Sequence, residues 1–140
     1  MRLILLALLS TLLLSASDIA NFAKEMQYET VYDVAKARAI KEKKPIMLVM
    51  VTHYCPWCRK FERRTLKKES INKRIHKEFI PLILNREAKK YPKQFYTPRI
   101  PVTFFVNAQS EDFFWESPGY KTTTQFHTEM DSALENQHAK

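Results

Sequence analysis

Beyond the N-terminal segment, three stretches of the chain are apolar with almost no interruption, and the other apolar residues fall largely at helical spacing. Ile46 to Val51 shows no alternation and so suits a strand covered on both faces, as in a parallel sheet. Phe79 to Leu84 is a second such strand, with Pro81 inside it as an objection. Pro101-Val102-Thr103-Phe104-Phe105-Val106 predicts a third. Asn107 to Glu111 follows as a turn, and Asp112 to Glu116 as a fourth strand paired antiparallel with the third. A polar lead-in precedes Thr30, which can cap a helix carrying Val31, Val34, Ala35 and Ile40 on one side, with Asp33 as the acidic partner of a capping box. Lys43-Lys44-Pro45 ends that helix. A second helix runs from Cys58 to about Lys68 with Phe61 inward, and Ile71, Ile75 and Phe79 resume the spacing after a break near Ser70. Asn85 to Pro98 is polar, with Tyr91, Phe95 and Tyr96 packing a short helix or loop. Gly119 marks a tight bend, and Thr122 to Thr124 can cap a last helix whose face is Phe126, Met130, Ala133 and Leu134. Helix, strand, helix, strand, two strands and a helix give an α/β sandwich around a mixed sheet.

The N-terminus changes where this domain is expected to work. Met1-Arg2, the run Leu3 to Leu14 and Ser15-Ala16-Ser17 match the charged, apolar and small-residue parts of a secretory signal. The run is shorter than the roughly 20 residues that span a bilayer. Residues 1–17 are therefore read as a signal peptide removed on export, and 18–140 as one domain; an uncleaved anchor or buried helix is the other reading. A chain of 140 residues suffices for one domain with a real core. The formal net charge is +8, with Arg2 contributing one unit. Between Arg59 and Glu78 stand nine Lys or Arg against three Glu. Such a stretch is commonly the solvated face of a helix, and the sharper reading is attraction of acidic partner proteins. Export and the lack of a binding motif argue against nucleic acid.

The chemistry centres on His53-Tyr54-Cys55-Pro56-Trp57-Cys58, which holds the only two cysteines. At the handover from a buried strand to a helix, such a pair can close a small disulfide ring and open it again. Cys55 would sit at the helix N-terminus, where unpaired N–H groups and the dipole favour a thiolate, and is the expected nucleophile. Cys58, one turn further in, would resolve the mixed disulfide. A bridge across two residues constrains the unfolded chain little, which argues for a functional pair over a staple. Pro56 suits the first helical position. Trp57 is either a substrate platform at the rim or a ring packed over the disulfide. His53 is either a charge partner of Cys55 or a strand-end histidine. No metal is expected: two cysteines lack two further zinc ligands, Met47, Met50 and His53 lack a fourth soft ligand for copper, and Arg59 stands where covalent haem attachment needs histidine.

Lys44-Pro-Ile-Met-Leu-Val-Met-Val-Thr-His-Tyr-Cys-Pro-Trp-Cys-Arg-Lys-Phe, followed by Arg99-Ile-Pro-Val-Thr-Phe-Phe-Val, resembles the thioredoxin-like superfamily over roughly residues 30 to 135. The likeness is strongest to exported thioredoxin-related proteins and the C-terminal domain of the membrane thiol:disulfide interchange reductase. It implies a thioredoxin fold, with a central mixed sheet of about four strands flanked by helices. It also implies a cis peptide between Ile100 and Pro101, with the Ile100 backbone pairing with substrate as an added strand. The sequence departs from that family at Val49, where relatives carry a buried acid, leaving Glu62 as the nearest candidate for proton transfer to and from Cys58. Its Pro56-Trp57 dipeptide is a second departure.

The expected function is an exported, periplasmic thiol:disulfide oxidoreductase exchanging disulfides with protein thiols through Cys55 and Cys58, leaning to reductase or isomerase work. It needs no cofactor beyond the redox-active pair, and its partners are protein thiols or disulfides and a redox partner protein that can be acidic. The alternative is a thioredoxin-fold binding or chaperone module whose cysteines stay oxidised. Their separation rests on whether activity disappears with Cys55→Ser.

Overall fold

The computed structural model describes residues 17–139, so of the expected signal segment only Ser17 lies among the described residues. In chain order the elements are α1 (Asp18–Met26), α2 (Tyr32–Glu42), β1 (Ile46–Val51), α3 (Pro56–Phe61), a π-helical turn (Glu62–Leu66), α4 (Glu69–Glu78), β2 (Ile80–Asn85), two 3₁₀ turns (Arg86–Ala88 and Lys93–Phe95), β3 (Val102–Val106), β4 (Phe113–Pro118) and α5 (Thr123–His138). The sheet order is β2-β1-β3-β4. β1 pairs parallel with β2 and antiparallel with β3, and β3 antiparallel with β4. This is the mixed four-stranded sheet, flanked by helices, that the sequence predicts.

The unbroken apolar run of β1 has a direct cause. Successive side chains point to opposite faces of a strand, and both faces are covered. Met47, Val49 and Val51 join a core with α1, α3, α4 and α5, through Phe22, Phe61, Ile75 and Phe126. Ile46, Leu48 and Met50 join a second core with Tyr32, Ala35 and Ala39 of α2 and with Phe95. Met47 and Met50 thus lie on opposite faces and cannot share a copper ion.

Pro81 is harmless within β2. In a parallel pair a residue's N–H and C=O point to one side, and the Pro81 carbonyl accepts from the Glu29 N–H at 2.9 Å, away from β1. The missing donor therefore removes no bond to the central strand.

The structure differs from the periodicity reading at two places near the N-terminus. The lead-in contains α1, capped by the Ser17 hydroxyl accepting from the Ala20 N–H at 3.2 Å, with Ile19, Phe22, Ala23 and Met26 buried. α2 begins at Tyr32, with Val31 at its cap and no side-chain capping bond. Its buried face is Tyr32, Ala35 and Ala39, whereas Val31, Val34 and Ile40 are exposed. Glu29 bonds to β2 on both sides, through its own N–H and through its carbonyl accepting from Ile83 at 3.0 Å. That tether holds Thr30 and Val31 out of the helix and fixes its phase, and the small Ala35 and Ala39 let its backbone approach the sheet. Tyr96, expected to pack, is exposed.

Candidate functional site

β1 delivers the chain to one end of the sheet, where Thr52 is still buried and Tyr54 is 97% exposed. Cys55 takes an extended conformation as the N-cap of α3, and Pro56 occupies the first turn, where a missing N–H costs nothing. The Cys55 sulfur accepts from the Cys58 N–H at 3.1 Å. The two cysteines are joined in a disulfide with their Cα atoms 5.2 Å apart. Cys55 keeps a little exposure at 7%, and Cys58 has none. The outer sulfur thus fills the place an aspartate or serine side chain takes at other helix starts, next to the positive end of the dipole.

β3 starts beside the end of β1, since Met50 pairs with Val102. Pro101 is therefore brought to the strand end that leads into Cys55. The Ile100–Pro101 peptide is cis, Pro101 is buried, and its carbonyl accepts from the Gly119 N–H at 2.8 Å. Gly119 has φ +82°, a left-handed value that suits glycine, and turns the end of β4 toward the same rim. Ile100 is half-buried against both cores.

Trp57 is 56% exposed and lies at the rim, its ring centroid 5.7 Å from that of Tyr120. His53 is half-buried and opens on a cleft with Ser17, Thr30, Asn85 and Lys90, with no hydrogen bond to either sulfur among the described residues.

Behind the disulfide, Val49 is fully buried in the core that holds both cysteines. Glu62, one turn beyond Cys58, is nearly buried at 4% and accepts from Arg59 Nε at 2.7 Å. Burial pushes the Glu62 carboxyl above its usual range, and the Arg59 charge opposes that push. Arg59 also donates to the Thr52 carbonyl at 3.2 Å and stands 4.0 Å from Asp18. One guanidinium thus ties the end of β1, the π-helical turn and α1 together. The buried Tyr28 hydroxyl is raised by its burial and then by the Glu62 charge.

The sequence reading named Cys55, Cys58, Pro56, Trp57, Ile100, Pro101, His53 and Glu62: the first four stand together at the start of α3, Pro101 leads into β3 beside the end of β1, Ile100 packs against the core that holds both cysteines, His53 opens on a separate cleft, and Glu62 lies one turn beyond Cys58. It missed Tyr120, Lys60 and Asp18. Of these only Asp18 left a signal, as the first residue of an amphipathic stretch with Ile19, Phe22, Ala23 and Met26 at i, i+3, i+4 and i+7. Among the described residues no three His, Cys, Asp or Glu side chains group as a metal site, and no helix is long and apolar enough to cross a membrane.

Residues 32–134 match the family described as a thioredoxin-like domain. The fold is similar to that of a thioredoxin from Thermus thermophilus, with a TM-score of 0.66 and 15% identity over 76% of this chain and 86% of that one. It is also similar to the DsbH oxidoreductase, with a TM-score of 0.60 and 17% identity over 78% and 84%. The DsbD C-terminal domain of Neisseria meningitidis in its oxidised form gives 0.60 and 16% over 75% and 98%. No curated protein sequence matches.

Proposed function

The chain belongs to the thioredoxin-like domain family, and from that premise we propose that it is an exported thiol:disulfide oxidoreductase working through Cys55 and Cys58. In the reducing direction the Cys55 thiolate attacks a client disulfide, forming a mixed disulfide and releasing one client thiolate. The Cys58 thiol loses its proton, and its sulfur attacks the Cys55 sulfur. The second client thiolate then leaves and the Cys55–Cys58 bond closes. Two electrons have passed to the client, and a partner dithiol restores the reduced pair.

The observation that carries this reading is the asymmetry of the two sulfurs: the outer one caps a helix and accepts an N–H, and the inner one is sealed. Trp57, Ile100 and Pro101 are the proposed client contacts. Glu62 is the proposed proton acceptor for Cys58, by way of water or directly; His53 and Pro56 would modulate Cys55. The lean to reductase or isomerase work in the periplasm rests on the sequence resemblance to the interchange reductase domain. The helix dipole at Cys55 pulls toward an oxidant.

The test is disulfide reduction in a client protein by the reduced chain. Cys55→Ser is expected to abolish it, and Cys58→Ser to accumulate a mixed disulfide. The second reading, a binding module with its cysteines kept oxidised, is compatible with the bonded pair and predicts client binding that Cys55→Ser leaves intact.

A further inference from the structure

The exchange chemistry does not use an arrangement at the same rim. Lys60 follows Trp57 by one turn of α3, and its ammonium lies 4.5 Å from the Trp57 ring centroid and 5.0 Å from that of Tyr120. Two aromatic rings therefore hold one cation beside the disulfide, with its stem half-buried. The neighbouring Arg59 is neutralised by Glu62. Lys60 is not: among the described residues no carboxylate comes within ion-pair distance of it. Arg99, exposed and next to Ile100, likewise has no carboxylate partner among the described residues. The Gly119 to Pro101 hydrogen bond joins the Tyr120 and Arg99 segments at one end of the sheet. The rim thus carries two cations that the fold does not neutralise, one of them held in place.

An ammonium has three N–H donors, so a carboxylate can reach Lys60 from solvent while the ring contacts persist. An exposed Trp57 offers area to the apolar part of a chain lying along the rim. We infer that the site takes client segments that carry a carboxylate close to the reacting cysteine, held by the Trp57, Lys60 and Tyr120 cluster with Arg99 as a second contact. This rests on the exchange reading above, since it places the carboxylate relative to a cysteine presented to Cys55.

Two peptide series test it. In the first, labelled decapeptides with a central serine, flanked by Glu, Gln or Lys, are titrated against the oxidised protein by anisotropy at low salt. In the second, the serine is a cysteine in a disulfide, and kcat/KM for its reduction is measured. The Glu peptides are expected to exceed the Gln peptides by about twofold to fivefold in both series, the amount an exposed ion pair supplies, with Lys weakest. In Lys60→Gln the Glu-to-Gln ratio should fall toward one, and Lys60→Arg should restore it. Lys73→Gln, on the exposed Lys73–Glu69 pair of α4, should leave the ratio unchanged. Equal treatment of Glu and Gln, or a ratio that survives Lys60→Gln, overturns the inference. Exchange without charge preference leaves the oxidoreductase reading standing and removes this one; charge-ordered binding without exchange of any peptide removes the oxidoreductase reading and, with it, the placement of the carboxylate beside a reacting cysteine, leaving the cluster to the binding-module reading.

Discussion

Cys55 and Cys58 are chemically identical residues made different by their surroundings. In the reduced protein the Cys55 thiolate would keep its place at the start of α3, accepting the Cys58 N–H. Its apparent pKa is expected below the free-thiol value of about 8.5. Iodoacetamide rates against pH should show one fast-reacting thiol at Cys55, with Cys58 protected by its full burial. A titration near 9, or labelling of Cys58 first, would reverse the assigned roles. The inner thiol must shed a proton where Val49 offers no acceptor. A buried base typically contributes about 10² to 10⁴ in rate, and Glu62, the acceptor proposed above, is paired with Arg59, which weakens it as a base, so resolution by Cys58 is expected to limit turnover near neutral pH. Val49→Asp should speed that step and cost stability, because its carboxylate would be unpaired in an apolar core. Stopped-flow fluorescence on a peptide disulfide separates the two steps. If Glu62→Gln slows the second strongly while Val49→Asp leaves it alone, Glu62 already supplies the base. Glu62 also leaves a mark on stability. Its folded carboxyl is raised by burial, so as pH climbs from the ordinary range near about 4.3 the unfolded chain ionises first. Stability then declines until the folded group has titrated. Glu62→Gln should flatten that decline in urea midpoints of the oxidised protein, and parallel profiles for the two proteins would contradict it.

At the scale of elements, the strands were the most legible part of the chain. β1 announces burial on both faces by its composition, and β3 and β4 by an apolar run, a turn and a return. α5 was legible at its start, where Thr122 and Gln125 form a reciprocal capping box. Thr122→Ala should cost about 0.5–2 kcal/mol in urea unfolding. Of the buried face of α2 the sequence reading had only Ala35: Tyr32 and Ala39 fell outside it, because a small Ala39 carries little hydrophobic signal beside the larger Val34 and Ile40 that face solvent. The tether from Glu29 to β2 that sets the helix phase is a backbone contact and has no side-chain signature. The π-helical turn was equally unreadable. Its wider winding buries Glu62, Thr65 and Leu66 and leaves Arg63 and Arg64 exposed. That charge run was correctly read as mostly solvated, but the one carboxylate the turn takes inward, and the Arg59 that accompanies it, required the tertiary structure. The cation held by Trp57 and Tyr120 likewise depends on residues far apart in sequence.

For the whole molecule, helices close both faces of the sheet, so its ends and edges meet solvent. The end that carries the disulfide sets the direction of electron flow. If the protein works as a reductase, the oxidised form should be the more stable of the two, because a pair whose reduced form is stabilised is an oxidant. Urea midpoints with and without reductant decide this: a lower midpoint on reduction fits the lean adopted above, and a higher one marks an oxidant. The edges raise a different matter. An open strand edge is a template for any passing extended chain and so an aggregation hazard. On β2 the outward side has lost one donor at Pro81 and spends its carbonyl, with the Ile83 N–H, on Glu29. What remains is too interrupted to seed a growing sheet, so this edge is expected to resist pairing with other extended chains.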